Sequence, residues 1–272
     1  MGVTDCVDGR AVFTVILVFS ATLLCLAMAV VLRGSVAGGA PTSFVGFDGY
    51  GVIVGFVAFI AASSVLGTIG GAALIISFLF HEAGHVLAYR MLGHQDTRFR
   101  MAPFLSGVAI SDQPLKTEGD AFFVALMGPG LSLAPMVLAM TLSVALAQPA
   151  PELAKVLQIF GVTCAALNVV NLLPFWPLDG GHCARMSARN FWPGLAPGLT
   201  VFMGTAFFVA GIRTQSLALM IIGIAGFTSL LRKPDETLTP MGPDNGLIAL
   251  SAYAFTLAAH FCCAWPFVSA FF

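Results

Sequence analysis

His81, Glu82 and His85 have the residue types and the spacing to hold a metal ion and to work beside it. They stand as H-E-x-x-H in residues 77–92, SFLFHEAGHVLAYRML. On a helix, positions i and i+4 share a face, so both imidazoles reach one ion. Glu82 then falls beside the position left open for water, which is the arrangement of metal-assisted hydrolysis. The run around them is apolar enough to lie within a bilayer, where two imidazoles and a carboxylate are costly and need a reason to be present.

A catalytic zinc site takes three protein ligands and leaves one position open. His81 and His85 supply two, so a third must come from elsewhere at the same depth. The leading candidate is Asp179, in residues 171–182, NLLPFWPLDGGH. Pro174 and Pro177 end the preceding helix there, and Gly180 with Gly181 is expected to let the chain turn tightly at the ligand. A carboxylate brings Zn²⁺ and two neutral imidazoles to a net +1, closer to the neutrality that a low-dielectric interior favours. Taken alone, Asp179 reads more simply as a solvated helix cap. The histidine pair is what makes it a ligand candidate.

These side chains must be positioned by membrane helices. Hydrophobic residues make up 58% of the chain and charged residues 9%, against about 25% charged in soluble domains, so the chain is expected to be an integral membrane protein. The net charge of −1 and the absence of a basic run leave no footing for nucleic-acid binding. Cys6, Cys25, Cys164, Cys183, Cys262 and Cys263 are scattered without a C-x-x-C pair and imply no disulfide framework. At about 20 apolar residues per crossing, the candidate spans are 11–32, 50–67, 69–91, 120–147, 154–173, 194–212, 214–231 and 246–270. The expected architecture is therefore an all-α polytopic membrane protein of about eight helices. N-terminal helices fill 1–68, a catalytic core 69–190, and C-terminal helices 191–272. The first span reads as a retained helix rather than a signal peptide, because an acidic segment precedes it and Arg33 follows it.

Residues 93–119 differ from the other loops. Their alternation around Ser106-Gly107 predicts short extended segments, a small β-hairpin lying at the membrane boundary after the zinc helix. Alternating the eight spans places Arg33, Arg90, Arg98, Arg100, Lys116, Arg185, Arg189, Arg232 and Lys233 on one side and Arg10, Lys155 and Arg213 on the other. The first side is then cytoplasmic, the site lies toward it, and both termini face outward.

H-E-x-x-H within an apolar helix, followed by Asn171, Pro174, Leu178, Asp179 and Gly180 as N-x-x-P-x-x-x-L-D-G, resembles the site-2 protease family of intramembrane zinc metalloproteases. The resemblance covers about residues 69–190. It implies Zn²⁺ held by His81, His85 and Asp179, Glu82 as general base, and Asn171 as a donor to the substrate backbone or oxyanion. It also implies cleavage of transmembrane protein substrates in the cell membrane, such as membrane-tethered regulators or remnant signal peptides, with selection by the helices or an accessory partner. The family often shows G-P-x-x-N in the next helix; here Gly128 and Pro129 are followed by Ser132 where Asn is expected. The Gly-Pro pair itself reads as a kink with close packing. His94, His182 and His260 have no role in the pattern.

Two other readings remain on the residues alone. A prenyl-protein-type H-E-x-x-H membrane protease would use a downstream glutamate, Glu118 or Glu152, as third ligand. A metal transporter would also place His and Asp within the membrane, but it has no use for Glu82 beside His81.

Overall fold

The computed structural model describes residues 3–37, 43–45, 49–94, 96–101, 107–174, 178–189, 192–231 and 237–269. Helices dominate: α1 (Val3–Ala37), α2 (Gly49–Met91), α3 (Glu118–Ala145), α4 (Pro151–Asn171), α5 (Asp179–Ala188), α6 (Leu195–Thr214), α7 (Leu217–Thr228) and α8 (Pro243–Val268). Three short strands, β1 (Ser43–Val45), β2 (Arg98–Met101) and β3 (Gly107–Ile110), form one sheet in the order β1-β2-β3.

Among the described residues, six helices are long and apolar enough to cross a membrane, and the chain is a multi-pass membrane protein. Six rather than the expected eight elements reach that length, and two places account for the difference. Residues 214–231 yield only the 12-residue α7 and a turn of 3-10 helix, Ser229–Leu231, about 18 Å of α-helix against the 30 Å of a hydrocarbon core. Residues 50–67 and 69–91 form one element, α2, interrupted at Gly67 by φ 74° and ψ 164°.

That interruption reverses the chain. A straight 43-residue helix would be about 65 Å long, yet β1 before α2 pairs in parallel with β2 after it, Ser43 opposite Arg98 and Val45 opposite Arg100. Paired strands lie about 4.8 Å apart, so α2 must run out and return. A Cβ on Gly71 would sit 2.9 Å from the Ser63 backbone nitrogen, placing residues eight apart in contact across the bend. A side chain rarely adopts the Gly67 conformation, so glycine is required there.

Strand β2 pairs antiparallel with β3, from Arg98 opposite Ile110 to Met101 opposite Gly107. Side chains just outside the hairpin lock it to the end of α2. Ser111 donates to the Asp96 carboxylate at 3.0 Å and accepts from His94 Nδ1 at 2.7 Å, and the Asp112 amide also caps Asp96. His94 is therefore a structural tie rather than an incidental residue.

Helix α3 is the centre of the bundle. One apolar cluster joins Phe122 and Ala125 of α3 to Leu172, to Cys183 and Ala184 of α5, and to Ala249 and Tyr253 of α8. A second joins Met136 of α3 to Cys164 and Ala165 of α4 and Ala264 of α8. Large apolar side chains such as Phe19, Val65, Phe202 and Phe255 instead remain exposed on the outer faces, as lipid contact requires.

Candidate metal centre

His81 and His85 lie edge to face on successive turns of the returning arm of α2, their ring centroids 4.8 Å apart. Both face α3, and the two helices approach closely because glycines meet at the crossing. A Cβ on Gly84 would lie 2.0 Å from the Met127 carbonyl oxygen, and one on Gly128 would lie 2.5 Å from His85 Nε2 and 3.0 Å from His81 Cε1. The Gly-Pro step of α3 is thus the wall of the centre. Ser132, fully buried one turn later, donates to the Gly128 carbonyl at 3.2 Å.

Asp179 arrives from a third direction as the first residue of α5. Gly180 behind it would place a Cβ 2.1 Å from the Leu172 carbonyl oxygen, so α5 can dock on the end of α4 only with glycine there. The expected tight turn at Gly180-Gly181 is corrected: both residues lie in the first helical turn, and close approach, rather than unusual backbone angles, demands glycine at position 180. Tyr253 of α8 donates to the same Leu172 carbonyl at 2.7 Å and ties the junction down.

The ring orientations follow from hydrogen bonds. Asn168 Nδ2 donates to the Cys164 carbonyl at 2.8 Å, which turns Oδ1 toward His81 Nδ1 at 2.8 Å. Because Oδ1 can only accept, His81 carries its proton on Nδ1. His85 Nδ1 donates to the Val124 carbonyl at 2.7 Å by the same logic. In the neutral rings both Nε2 atoms then present lone pairs. They lie 3.1 Å apart, with Asp179 Oδ2 at 3.1 Å from His81 Nε2 and 3.5 Å from His85 Nε2.

With both rings neutral these three electron-rich atoms repel one another unless a proton or a metal cation sits among them. Ligands 2.0–2.1 Å from a tetrahedral zinc are about 3.3 Å apart, close to all three separations. The donor set fits zinc. His81, His85 and Asp179 form a group able to hold a metal ion, with ligand atoms within 4.8 Å of one another. Glu82 is within electrostatic reach of all three and 4% exposed, and its Oε2 has no hydrogen-bond partner among the described residues.

The remaining candidates lie elsewhere. Asn171 ends α4 and donates to the Leu167 carbonyl of its own helix at 3.2 Å. Glu118 is buried, bound by Arg189 and by the Met241 amide at 2.9 Å. Glu152 is exposed in the first turn of α4. Neither glutamate belongs to the ligand group. His182 is exposed in the first turn of α5. Sequence reasoning missed Asn168, whose signal was an amide placed one turn before Asn171 in an otherwise apolar helix.

No family model matches the chain. It is similar to two curated proteins. One is the Synechocystis protein named Putative zinc metalloprotease sll0528, 28% identical over 170 residues, a match covering 61% of this chain and 44% of that one. The other, Putative zinc metalloprotease Rip3 of Mycobacterium tuberculosis, is 31% identical over 168 residues, covering 61% and 41%. These similarities to proteins named as zinc metalloproteases support the resemblance to the site-2 protease family carried by the sequence motifs. The match spans less than half the length of those curated relatives. The solved Site-2 Protease from Methanocaldococcus jannaschii aligns with a TM-score of 0.43 and 16% identity, covering 70% of this chain and 91% of that one.

Proposed function

We propose that the protein is an intramembrane zinc endopeptidase that hydrolyses peptide bonds in or beside the membrane segments of other proteins. The reading is carried by the convergence of His81, His85 and Asp179 from two separate elements, with a buried Glu82 beside them whose Oε2 has no hydrogen-bond partner among the described residues. Those three residues would hold zinc, which when bound supplies Lewis acidity toward the scissile carbonyl and the attacking water.

The chain's own residues do the rest. Asn168 and the Val124 carbonyl fix the two imidazoles, so both Nε2 atoms are preorganised as ligands. Glu82 takes the proton of the attacking water and delivers it to the leaving amine, a role that needs a carboxylate within hydrogen-bond reach and free of other partners. Asn171, at the mouth of the α4–α5 junction, would exchange its bond with Leu167 for one to the substrate backbone. The crossing of α2 and α3 at Gly84 and Gly128 keeps bulk water from the rear of the centre.

A helical substrate must unwind before its amide can be attacked, because that amide is hydrogen-bonded within the helix. The β2–β3 hairpin is tied by His94, Ser111 and Asp96 to the end of the helix that bears the ligands. Lying at the membrane boundary, its sheet would receive an unwound segment as an added strand. Arg90 near the end of α2, Arg98 and Arg100 in β2, Lys116 before α3, and Arg185 and Arg189 near the end of α5 fall in the segments that flank the hairpin, which supports a cytoplasmic hairpin side with the termini facing outward. Membrane-tethered regulators and remnant signal peptides are the substrate classes in view.

The engagement of Glu118 by Arg189 and Met241 argues against a glutamate-liganded, prenyl-protein-type site. Glu82 tests the rest. Glu82→Gln should keep one zinc per chain by elemental analysis and lose cleavage of a membrane substrate by about 10²–10⁴-fold. Comparing membrane proteomes with the parent and this variant identifies the substrates. Undiminished cleavage rules out Glu82 as the base, and metal flux that persists in the variant favours a transporter.

A further inference from the structure

His260 is completely buried in α8 and is used by none of the chemistry above. Its Nδ1 lies 2.9 Å from the Thr256 carbonyl, an acceptor only, so that nitrogen carries the proton. Nε2 is then a bare acceptor with no hydrogen-bond partner among the described residues. A buried imidazole of this kind within a membrane span is costly and marks function more often than packing.

Its neighbours are set by the register of α8 against α4. Tyr253, Thr256, His260 and Ala264 share one buried face of α8. Near one end of that face Tyr253 binds the Leu172 carbonyl, and near the other Ala264 packs on Cys164 and Ala165. The helices therefore run antiparallel, which brings His260 level with Asn168. His260 is also within electrostatic reach of His81, the ring that Asn168 holds. Asn168 has a proton to spare: its Nδ2 bonds the Cys164 carbonyl at 2.8 Å, and its other contact is the weak Cys164 sulfur at 3.7 Å.

We propose that His260 is a positioning residue, the outer end of a hydrogen-bonded line His260–water–Asn168–His81 that holds the first metal-ligating imidazole in place. One buried water accepts the second Nδ2 proton of Asn168 and donates to His260 Nε2, which satisfies both groups at once. The line keeps the Asn168 amide from flipping. Oδ1 stays on His81 Nδ1, and the His81 Nε2 lone pair stays aimed at the metal.

The inference rests on the metal reading of the centre, and one experiment separates the two. In full-length protein in detergent, zinc transfer to a chelator and the visible spectrum of the Co²⁺-substituted form are followed for the parent, His260→Leu and His260→Gln. The leucine variant should release zinc about tenfold faster, as loss of an outer-shell partner does, and should shift the cobalt bands. Glutamine, which retains an acceptor, should restore both. Combined with Asn168→Ala, His260→Leu should add little, because both break one line. His260→Met serves the comparison if leucine is not tolerated. A zinc-binding parent whose leucine or methionine variant keeps the parental release rate, or whose loss is independent of Asn168, overturns this inference alone. A parent that binds no zinc overturns the metal reading beneath it.

Discussion

Two acidic residues sit inside this protein in opposite circumstances. Glu118, 3% exposed, has its charge answered twice, by the Arg189 guanidinium on one oxygen and the Met241 amide on the other. A parallel bridge between Thr117 and Thr239 closes the same junction. Asp179, at the other end of α5, faces two imidazoles that both present lone pairs when neutral, with Glu82 close by, its Oε2 without a hydrogen-bond partner among the described residues. One carboxylate has a fixed cation in the fold; the other lies among imidazole nitrogens that could share a metal ion with it. The first arrangement is a lock, and the second is a candidate site. The lock also serves the site, because Arg189 caps the C-terminal end of the short helix that begins with Asp179.

Removing each carboxylate should separate these roles. Asp179→Ala should abolish stoichiometric zinc in elemental analysis while the metal-free protein unfolds near the parental temperature. Glu118→Ala should do the reverse. It leaves Arg189 unpaired and should cost about 3 kcal/mol in unfolding free energy, toward the low end for a broken buried pair because Arg189 is partly exposed. Zinc per folded chain should hold. If Glu118→Ala strips the zinc and Asp179→Ala does not, the two assignments are reversed and the glutamate-liganded alternative returns.

A smaller effect tests the wall between the two regions. Gly128→Ala drives a methyl group into the His85 ring and should cost about 1–3 kcal/mol through overpacking, with weakened zinc binding. Gly198→Ala on α6, where a Cβ would meet nothing within 4 Å, should be neutral or stabilise by up to about 1 kcal/mol. Equal responses would mean that the α2–α3 crossing is looser than its contacts indicate. The smallest expected change is at the hairpin tie. Ser111→Ala removes the bridge between His94 and Asp96 and should cost about 1 kcal/mol, raising KM for a membrane substrate more than it lowers kcat. A change in kcat alone would detach the hairpin from substrate binding.

The sequence by itself carried the chemistry that is local or compositional. The i, i+4 spacing on one helix face fixed His81 and His85 as a pair. Apolar runs of near-bilayer length fixed the membrane class, and Pro174 with Pro177 fixed the end of α4 ahead of Asp179. Helix ends and fold-backs were less legible. Residues 50–67 and 69–91 read as two spans parted near Gly67, but the pairing of β1 with β2 is what shows the reversal there, and α7 is apolar enough to cross yet too short. Long-range contacts were not legible at all. That Asn168 holds His81, that Gly128 is the wall of the centre, that Glu118 belongs to Arg189 and that His260 lies level with Asn168 depend on how α3, α4 and α8 pack. Spacing along one helix constrains only that helix; hydrogen bonds between residues up to 123 positions apart, as from Met241 to Glu118, exist only once the helices have been brought together.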